Sequence, residues 1–278
     1  MPIPELSRRS FATGLAASPA LSLRGAAKPL RLLVCGGNVV YDAELAGTAE
    51  NPNWGEVRVW RPGESKGLPA SYVEKRFETT DDCKPIDGGT HVLVTASSGG
   101  VAIYERASLA TKFYAHVANA HSACMLPGGH VVVAASVSAE GNALVLFHRS
   151  TSERALFRTP LESAHGVVWD EKRETLYAVG MGHVEEYAFH HGGAANASLK
   201  LLHRTALPTR GGHELSPGAK ENELIVTSQG GVYLFDKAAR TFADHPILGR
   251  ELDVKCVSLH PPTGRIAYVK PDEGKGVW

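Results

Sequence analysis

Short apolar runs alternate with turn residues along most of the chain, and this pattern predicts a protein built mainly from β-strands. One unit contains four such runs in the order CKPI, HVLVTAS, VAIYER and TKFYAHV. The next unit repeats the order with SACML, HVVVAAS, ALVLFHR and RALFRT. Apolar residues at helical spacing are scarce, so we expect few helices.

The units recur at regular intervals, and each begins with a polar residue. The intervals between these residues are 39, 44, 48 and 42 positions for the series Asp82, His121, His165, His213 and Lys255. Repeats of about 40–50 residues with several short strands each are typical of propeller blades. The sequence therefore predicts an all-β, six-bladed β-propeller with four-stranded antiparallel blades. The blades are expected at about 31–80, 82–118, 121–161, 165–206, 213–247 and 255–278.

The first and last units depart from this pattern. Residues 31–80 supply three expected strands, RLLVCGG, EVRVWRP and SYVEKRF, but no inner strand. Residues 38–55 lie between the first two of these strands and are expected to form a loop that hangs over the channel mouth, as a lid or a specificity loop. The unit at 255–278 is short, so we expect the last blade to be truncated.

The recurring histidines are the main candidates for chemistry. Inner strands of a propeller begin at one rim of the axial channel, so His121, His165 and His213 should converge there. Neutral imidazoles from three sides can bind a borderline divalent metal and leave a position for water or substrate. A divalent metal, Mn, Zn or Ca, is the one cofactor that this pattern suggests. Without a metal, the same histidines could transfer protons or simply cap strands by hydrogen bonding.

Other polar residues are expected near the same mouth. Lys255 is expected to neutralise a substrate carboxylate, and we count it with the three histidines as catalytic. Asp82, Lys84 and His183 are expected to contact substrate. Asp82 could instead act as a fourth metal ligand or fix the tautomer of a histidine ring.

The N-terminal segment has the pattern of a twin-arginine export signal. In SRRSFATGLAASPALSL, Arg8 and Arg9 precede Phe11 and a short apolar stretch, and Gly25 to Ala27 offer small residues for cleavage. We expect residues 1–27 to be a signal peptide and 28–278 the propeller, exported to the periplasm or secreted. The alternative is a disordered basic tail.

Bulk composition narrows the range of partners. Basic and acidic residues both number 29, so the chain has no net charge that would attract it to nucleic acid. No apolar run is long enough to span a bilayer. The four cysteines show no CxxC spacing and are expected to be small buried residues. We expect a monomer that binds a small-molecule or saccharide ligand.

Five local motifs carry a family resemblance: TDDCKPIDGG, NAHSACMLPGG, SAHGVVWD, GGHELSP and VKCVSLHPPTG. Together they resemble an uncharacterised family of exported six-bladed β-propellers of unknown function, over about residues 31–278. The resemblance implies the fold but no activity. More distantly, and by architecture only, a histidine-lined mouth is similar to that of propeller polysaccharide lyases.

Three functions follow as hypotheses, and whether the protein is an enzyme stays open. The first is a carbon–oxygen lyase that cleaves uronate-containing glycans by β-elimination. In it, Lys255 or a metal neutralises the carboxylate, and a histidine, His183 or one of the three, removes the C5 proton. The second is a non-catalytic glycan or small-ligand binding propeller. The third is a metal-dependent lactonase or hydrolase.

Overall fold

Each complete repeating unit folds into an antiparallel β-sheet in the computed structural model, which describes residues 30–48 and 51–271. The first sheet contains three strands and the next four sheets contain four strands each, joined in chain order. The strands of the first three sheets are β1 Leu30–Gly36, β2 Val39–Gly47, β3 Pro52–Trp60, β4 Thr80–Ile86, β5 His91–Ala96, β6 Gly100–Glu105, β7 Thr111–His116, β8 Ala120–Leu126, β9 His130–Ala135, β10 Ala143–His148 and β11 Ala155–Pro160.

The later strands continue the same meander. They are β12 Val167–Asp170, β13 Thr175–Val179, β14 His183–His190, β15 Ser198–Ala206, β16 Leu215–Pro217, β17 Glu223–Ser228, β18 Gly231–Asp236, β19 Thr241–Asp244, β20 Cys256–His260 and β21 Arg265–Val269. Two short α-helices, α1 Ala70–Lys75 and α2 Gly193–Asn196, interrupt the strands. The prediction of an all-β propeller with antiparallel four-stranded blades is therefore confirmed.

The prediction of six blades is wrong, because the structure has five. The blades are the sheets β1–β3, β4–β7, β8–β11, β12–β15 and β16–β19. Within the described residues, β20 and β21 pair only with each other and form a hairpin rather than a blade. The repeat spacing detected the start of another unit at Lys255, but a start position does not supply the further strands that a blade needs.

The first blade also differs from the prediction. Much of the segment 38–55, predicted to be a lid, lies in β2 and β3, and the predicted strand SYVEKRF contains α1 instead. The strand β2 contains two acidic residues, Asp42 and Glu44. Both carboxylates are paired across the sheet with Arg31, at 3.2 and 2.8 Å. Ion pairing therefore lets a strand carry these charges.

The core is a series of apolar layers, one between each pair of neighbouring sheets. Phe113 of the second blade packs against Phe147 of the third, with ring centroids 5.9 Å apart. The hairpin is held to the fifth blade in the same way, by Val257 against Val232 and Leu248. Because sheets pack face to face around the channel, the inner strands β4, β8, β12, β16 and β20 are neighbours.

The predicted location depends on the N-terminal segment and on whether any helix could span a membrane. The predicted signal peptide at 1–27 lies outside the described residues. In the part of the chain that the structure describes, no helix has the length and apolar character to cross a membrane.

The four cysteines are free thiols, with Cys124 buried and the others partly buried.

Candidate functional site

The structure brings the three repeating histidines together. One ring nitrogen each of His121, His165 and His213 lies within 4.8 Å of the others. The ring centroids of His121 and His165 are 4.3 Å apart, and those of His165 and His213 are 4.6 Å apart. Among the described residues, this is the one group of three metal-capable side chains whose ligand atoms converge.

Backbone hydrogen bonds fix each histidine at the start of its blade. The His165 and His213 amides donate to the carbonyls of Val179 and Thr227, each at 2.9 Å. The Thr95 hydroxyl donates to the His121 carbonyl at 3.1 Å. The three rings are therefore mounted on the rigid inner part of the propeller.

A glycine after His165 allows the fourth and fifth blades to approach each other. A Cβ atom on Gly166 would lie 2.3 Å from the backbone nitrogen of Leu215, and 2.8 Å from backbone atoms of Glu214. Such contacts are too short for any side chain, so only glycine fits. Gly166 thus sets the distance between the segments that carry His165 and His213.

Each ring also has an acceptor from outside the cluster. His121 Nδ1 lies 3.5 Å from Asp81 Oδ1, and His165 Nδ1 lies 2.8 Å from the Ser163 carbonyl. His213 hydrogen-bonds to the backbone of Lys255. Polar partners of this kind orient the rings and fix the tautomers of histidines in metal sites.

The histidines are held in the neutral form. Burial lowers the pKa of His121 to about 3, with repulsion from His165 and Lys255 adding to the shift. Burial and the same two neighbours lower the pKa of His213 to about 2. Burial also lowers the pKa of His165. Metal binding requires neutral imidazole, so this cluster needs to release no protons at neutral pH to accept a metal ion.

Asp81 was missed by the sequence reasoning, which selected its neighbour Asp82. The Asp81 carboxylate accepts a hydrogen bond from the backbone amide of Ser97, and burial raises the Asp81 pKa to about 6. The pairing of β4 with β5 shifts register between Thr80 and Asp82. Because this irregularity interrupts strand alternation, the doublet in TDDC signalled a carboxylate but not which one faces His121.

Asp82 and Lys84 lie together and bind each other. The Lys84 Nζ atom is 2.7 Å from Asp82 Oδ2 and 3.9 Å from Glu214 Oε1. Burial raises the pKa of Glu214. The sequence analysis did not select Glu214 either, although it directly follows His213. The expected roles of Asp82 and Lys84 in substrate binding stay predictions.

Lys255 lies near the histidines, whereas His183 lies apart from them. Burial lowers the pKa of Lys255, and its charge contributes to lowering the pKa of all three histidines. His183 begins β14 and lines a separate small pocket with neighbours that include Met181 and Arg204. The catalytic role expected for Lys255 and the substrate contact expected for His183 stay predictions.

Comparisons with known proteins support the fold and give no activity. The sequence model described as a family of unknown function (DUF6528) matches residues 46–274. The crystal structure of the WD40 β-propeller domain of Doa1 is similar with a TM-score of 0.57 and 10% identity, covering 88% of this chain and 76% of that one. No curated protein sequence matches the chain significantly. The resemblance to a propeller family of unknown function is confirmed, and the distant likeness to polysaccharide lyases is not supported.

Proposed function

We propose that this chain, which belongs to the DUF6528 family, binds one divalent transition-metal ion at His121, His165 and His213 and uses it to bind and act on an anionic ligand. The observation that carries the proposal is the convergence of three ring nitrogens within 4.8 Å. Three protein ligands leave at least one coordination position for water or substrate, which is the arrangement of catalytic rather than structural zinc sites.

The donor set narrows the expected metals. Imidazole nitrogen suits zinc and its transition-metal neighbours, whereas calcium takes oxygen ligands almost exclusively. Of the three metals expected from the sequence, the cluster therefore favours zinc over manganese and calcium. The acceptors on the outer side of the rings, Asp81 and the Ser163 carbonyl, support the same assignment because they orient the ligand nitrogens.

Positive charge around the cluster favours an anionic ligand. Lys255 lies close enough to all three histidines to lower their pKa values, and a bound metal adds further positive charge. A carboxylate placed there would be neutralised, which makes its α-proton more acidic. For a uronate sugar, a base then removes the C5 proton, the C4–O4 bond breaks, and a C4–C5 double bond forms. The departing O4 takes up a proton.

Metal analysis tests the first part of the proposal. The full-length protein is stripped with a chelator, reloaded with zinc or manganese, and measured by elemental mass spectrometry. We expect one equivalent in the native protein and none in the His121→Ala/His165→Ala/His213→Ala variant. A matched variant, His148→Ala/His190→Ala/His203→Ala, should keep its metal. Equal metal in both variants would refute the assignment.

A substrate screen tests the second part. The metal-loaded protein is incubated with a panel of uronate-containing glycans, and formation of the unsaturated product is followed by near-ultraviolet absorbance. Product formation that is lost in the triple-alanine variant supports the lyase reaction. Saturable glycan binding without product would instead support the non-catalytic alternative. Neither binding nor turnover on any acidic saccharide would refute the anionic-glycan part of the proposal.

A further inference from the structure

The amino group of Lys84 lies in a cage of oxygen atoms inside the channel. It donates to Ser122 Oγ at 2.7 Å and to the carbonyls of Ala123 and Val167 at 3.2 and 3.3 Å. Asp82 Oδ2 lies 2.7 Å from Nζ, and Glu214 Oε1 lies 3.9 Å away. Four blades thus contribute to a single ammonium group.

The cage lies below the histidine cluster. Apart from Asp82, its oxygen atoms come from positions one or two residues after His121, His165 and His213 along the same inner segments. At about 3.3 Å per residue in a strand, the cage is roughly 3–7 Å deeper in the channel than the histidines. The two layers are therefore separate, one made of nitrogen donors and the other of oxygen donors.

The oxygen layer has the composition of a site for a hard cation. Two carboxylates, a hydroxyl and two backbone carbonyls are the ligand types that calcium takes in proteins. Hydrogen bonding within the cage is consistent, because the Ser122 hydroxyl donates to Asp82 at 2.8 Å while accepting from Lys84. Burial opposes the charged form of Lys84, but the close ion pair with Asp82 raises its pKa, so its amino group is a cation.

Another lysine of the protein shows that such a cage is not the usual surrounding of a buried ammonium group. Lys237 is as enclosed as its partner Asp170, and it pairs with one Asp170 oxygen and lies over the ring of Tyr177. Within the described residues, the Lys237 amino group donates to the Asp170 carboxylate and to no carbonyl oxygen. Lys237 thus forms an ion pair, whereas Lys84 has several oxygen ligands drawn from four blades.

We infer that the Lys84 amino group is the built-in cation of a second, oxygen-lined cation site. It occupies the cage below the histidines and neutralises Asp82, so the cage attracts no free metal ion. The channel mouth is then left with the nitrogen site alone. The inference does not depend on metal binding at the histidines.

Replacing Lys84 by alanine removes the built-in cation and tests the inference. In Lys84→Ala the cage keeps its oxygen atoms, so a free cation should replace the amino group. We expect the variant to bind about one equivalent of Ca²⁺ in isothermal titration calorimetry, and millimolar Ca²⁺ to raise its Tm by several degrees. The native protein and Lys237→Ala should show neither effect. Lys84→Ala/Asp82→Asn/Glu214→Gln should lose the Ca²⁺ response, because its cage carries no charge.

The same titration is repeated on Lys84→Ala in the His121→Ala/His165→Ala/His213→Ala background, so that calcium bound at the histidines cannot be mistaken for calcium in the cage. Persistence of the calcium response there supports the inference even if the histidines bind no metal. If Lys84→Ala folds only in the presence of Ca²⁺, that result supports it as well. A Lys84→Ala variant that binds no Ca²⁺, whether folded or unfolded, overturns it.

Discussion

The propeller contains two triplets of closely packed histidine rings, and only one of them is arranged as a metal site. The mouth triplet is His121, His165 and His213, and the edge triplet is His130, His148 and His191. The rings of the edge triplet are almost as close, since His130 lies 4.9 Å from each of the other two centroids. Closeness of rings therefore does not distinguish the two.

The direction of the ring nitrogens does distinguish them. In the edge triplet, both nitrogens of His148 are taken, by Ser150 Oγ at 2.6 Å and the Gly128 carbonyl at 2.9 Å. His130 is fully buried and its Nδ1 lies 3.0 Å from the Pro127 carbonyl. In the mouth triplet, one nitrogen of each ring lies within 4.8 Å of the others, and Asp81 and the Ser163 carbonyl are polar neighbours outside the cluster. A metal site needs convergent lone pairs, whereas packed rings with local hydrogen bonds only stabilise the turn.

The largest effect expected from this comparison is on metal affinity in the mouth triplet. His213→Ala removes one of three nitrogen ligands, so we expect zinc affinity to fall by more than about 100-fold, beyond the effect of losing an outer hydrogen-bond partner. Competition with a fluorescent chelator measures the change. His191→Ala, from the edge triplet, is the control and should bind zinc like the native protein. Equal losses in both variants would remove the distinction between the triplets.

The second effect is acid sensitivity of the metal-free protein. The lowered pKa values of His121 and His213, about 3 and about 2, mean that the unfolded chain binds protons below pH about 6.5 while the folded cluster does not. The free energy of unfolding is therefore unaffected by these histidines above that pH. It falls as the pH decreases towards their pKa values in the folded protein. The slope should be about 1.4 kcal/mol per pH unit for each such histidine.

Denaturant unfolding between about pH 7 and about pH 4 measures this slope. The comparison is with the His121→Ala/His165→Ala/His213→Ala variant, whose curve should be flatter because the buried imidazoles are gone. Parallel curves for the two proteins would show that the mouth histidines are not held neutral by burial.

A smaller effect is expected at the acceptor of His121. Asp81→Asn keeps the size of the side chain but removes its charge, so the ring is held less firmly and zinc affinity should fall by about 10–100-fold. The control is Asp87→Asn, because Asp87 also pairs with a histidine, His91, at 3.1 Å, and His91 does not belong to the mouth triplet. An unchanged zinc affinity in Asp81→Asn would show that Asp81 does not orient a ligand.

The sequence predicted those parts of this molecule that depend on repetition. Strand positions in the second to fifth blades follow from alternation and spacing, and the approach of His121, His165 and His213 follows from their equivalent positions in successive blades. Repetition also explains the wrong blade count. The unit at Lys255 begins like the others, but only two strands follow it in the described residues.

Features that depend on pairing between distant residues were not predictable. The β2 strand carries Asp42, whose partners Arg31 and Arg106 become visible only in the fold. Asp81 faces His121 because of a register shift that no local pattern signals. Glu214 comes near Lys84 across the channel. Each case involves one charged group whose position is decided by a residue distant from it in the sequence.

The smallest expected effect concerns the edge triplet itself. His148→Ala removes two hydrogen bonds from a partly exposed turn, and such bonds contribute about 0.5–1.5 kcal/mol each, less where water replaces the partner. We therefore expect about 1 kcal/mol of destabilisation in denaturant unfolding and unchanged zinc stoichiometry. His260→Ala is a suitable control, since His260 also bonds a neighbouring hydroxyl, that of Thr263 at 2.7 Å, in an exposed turn. Loss of zinc from His148→Ala would mean that the edge triplet binds metal despite the occupied nitrogens of His148, and that ring proximity alone identifies the metal sites of this protein.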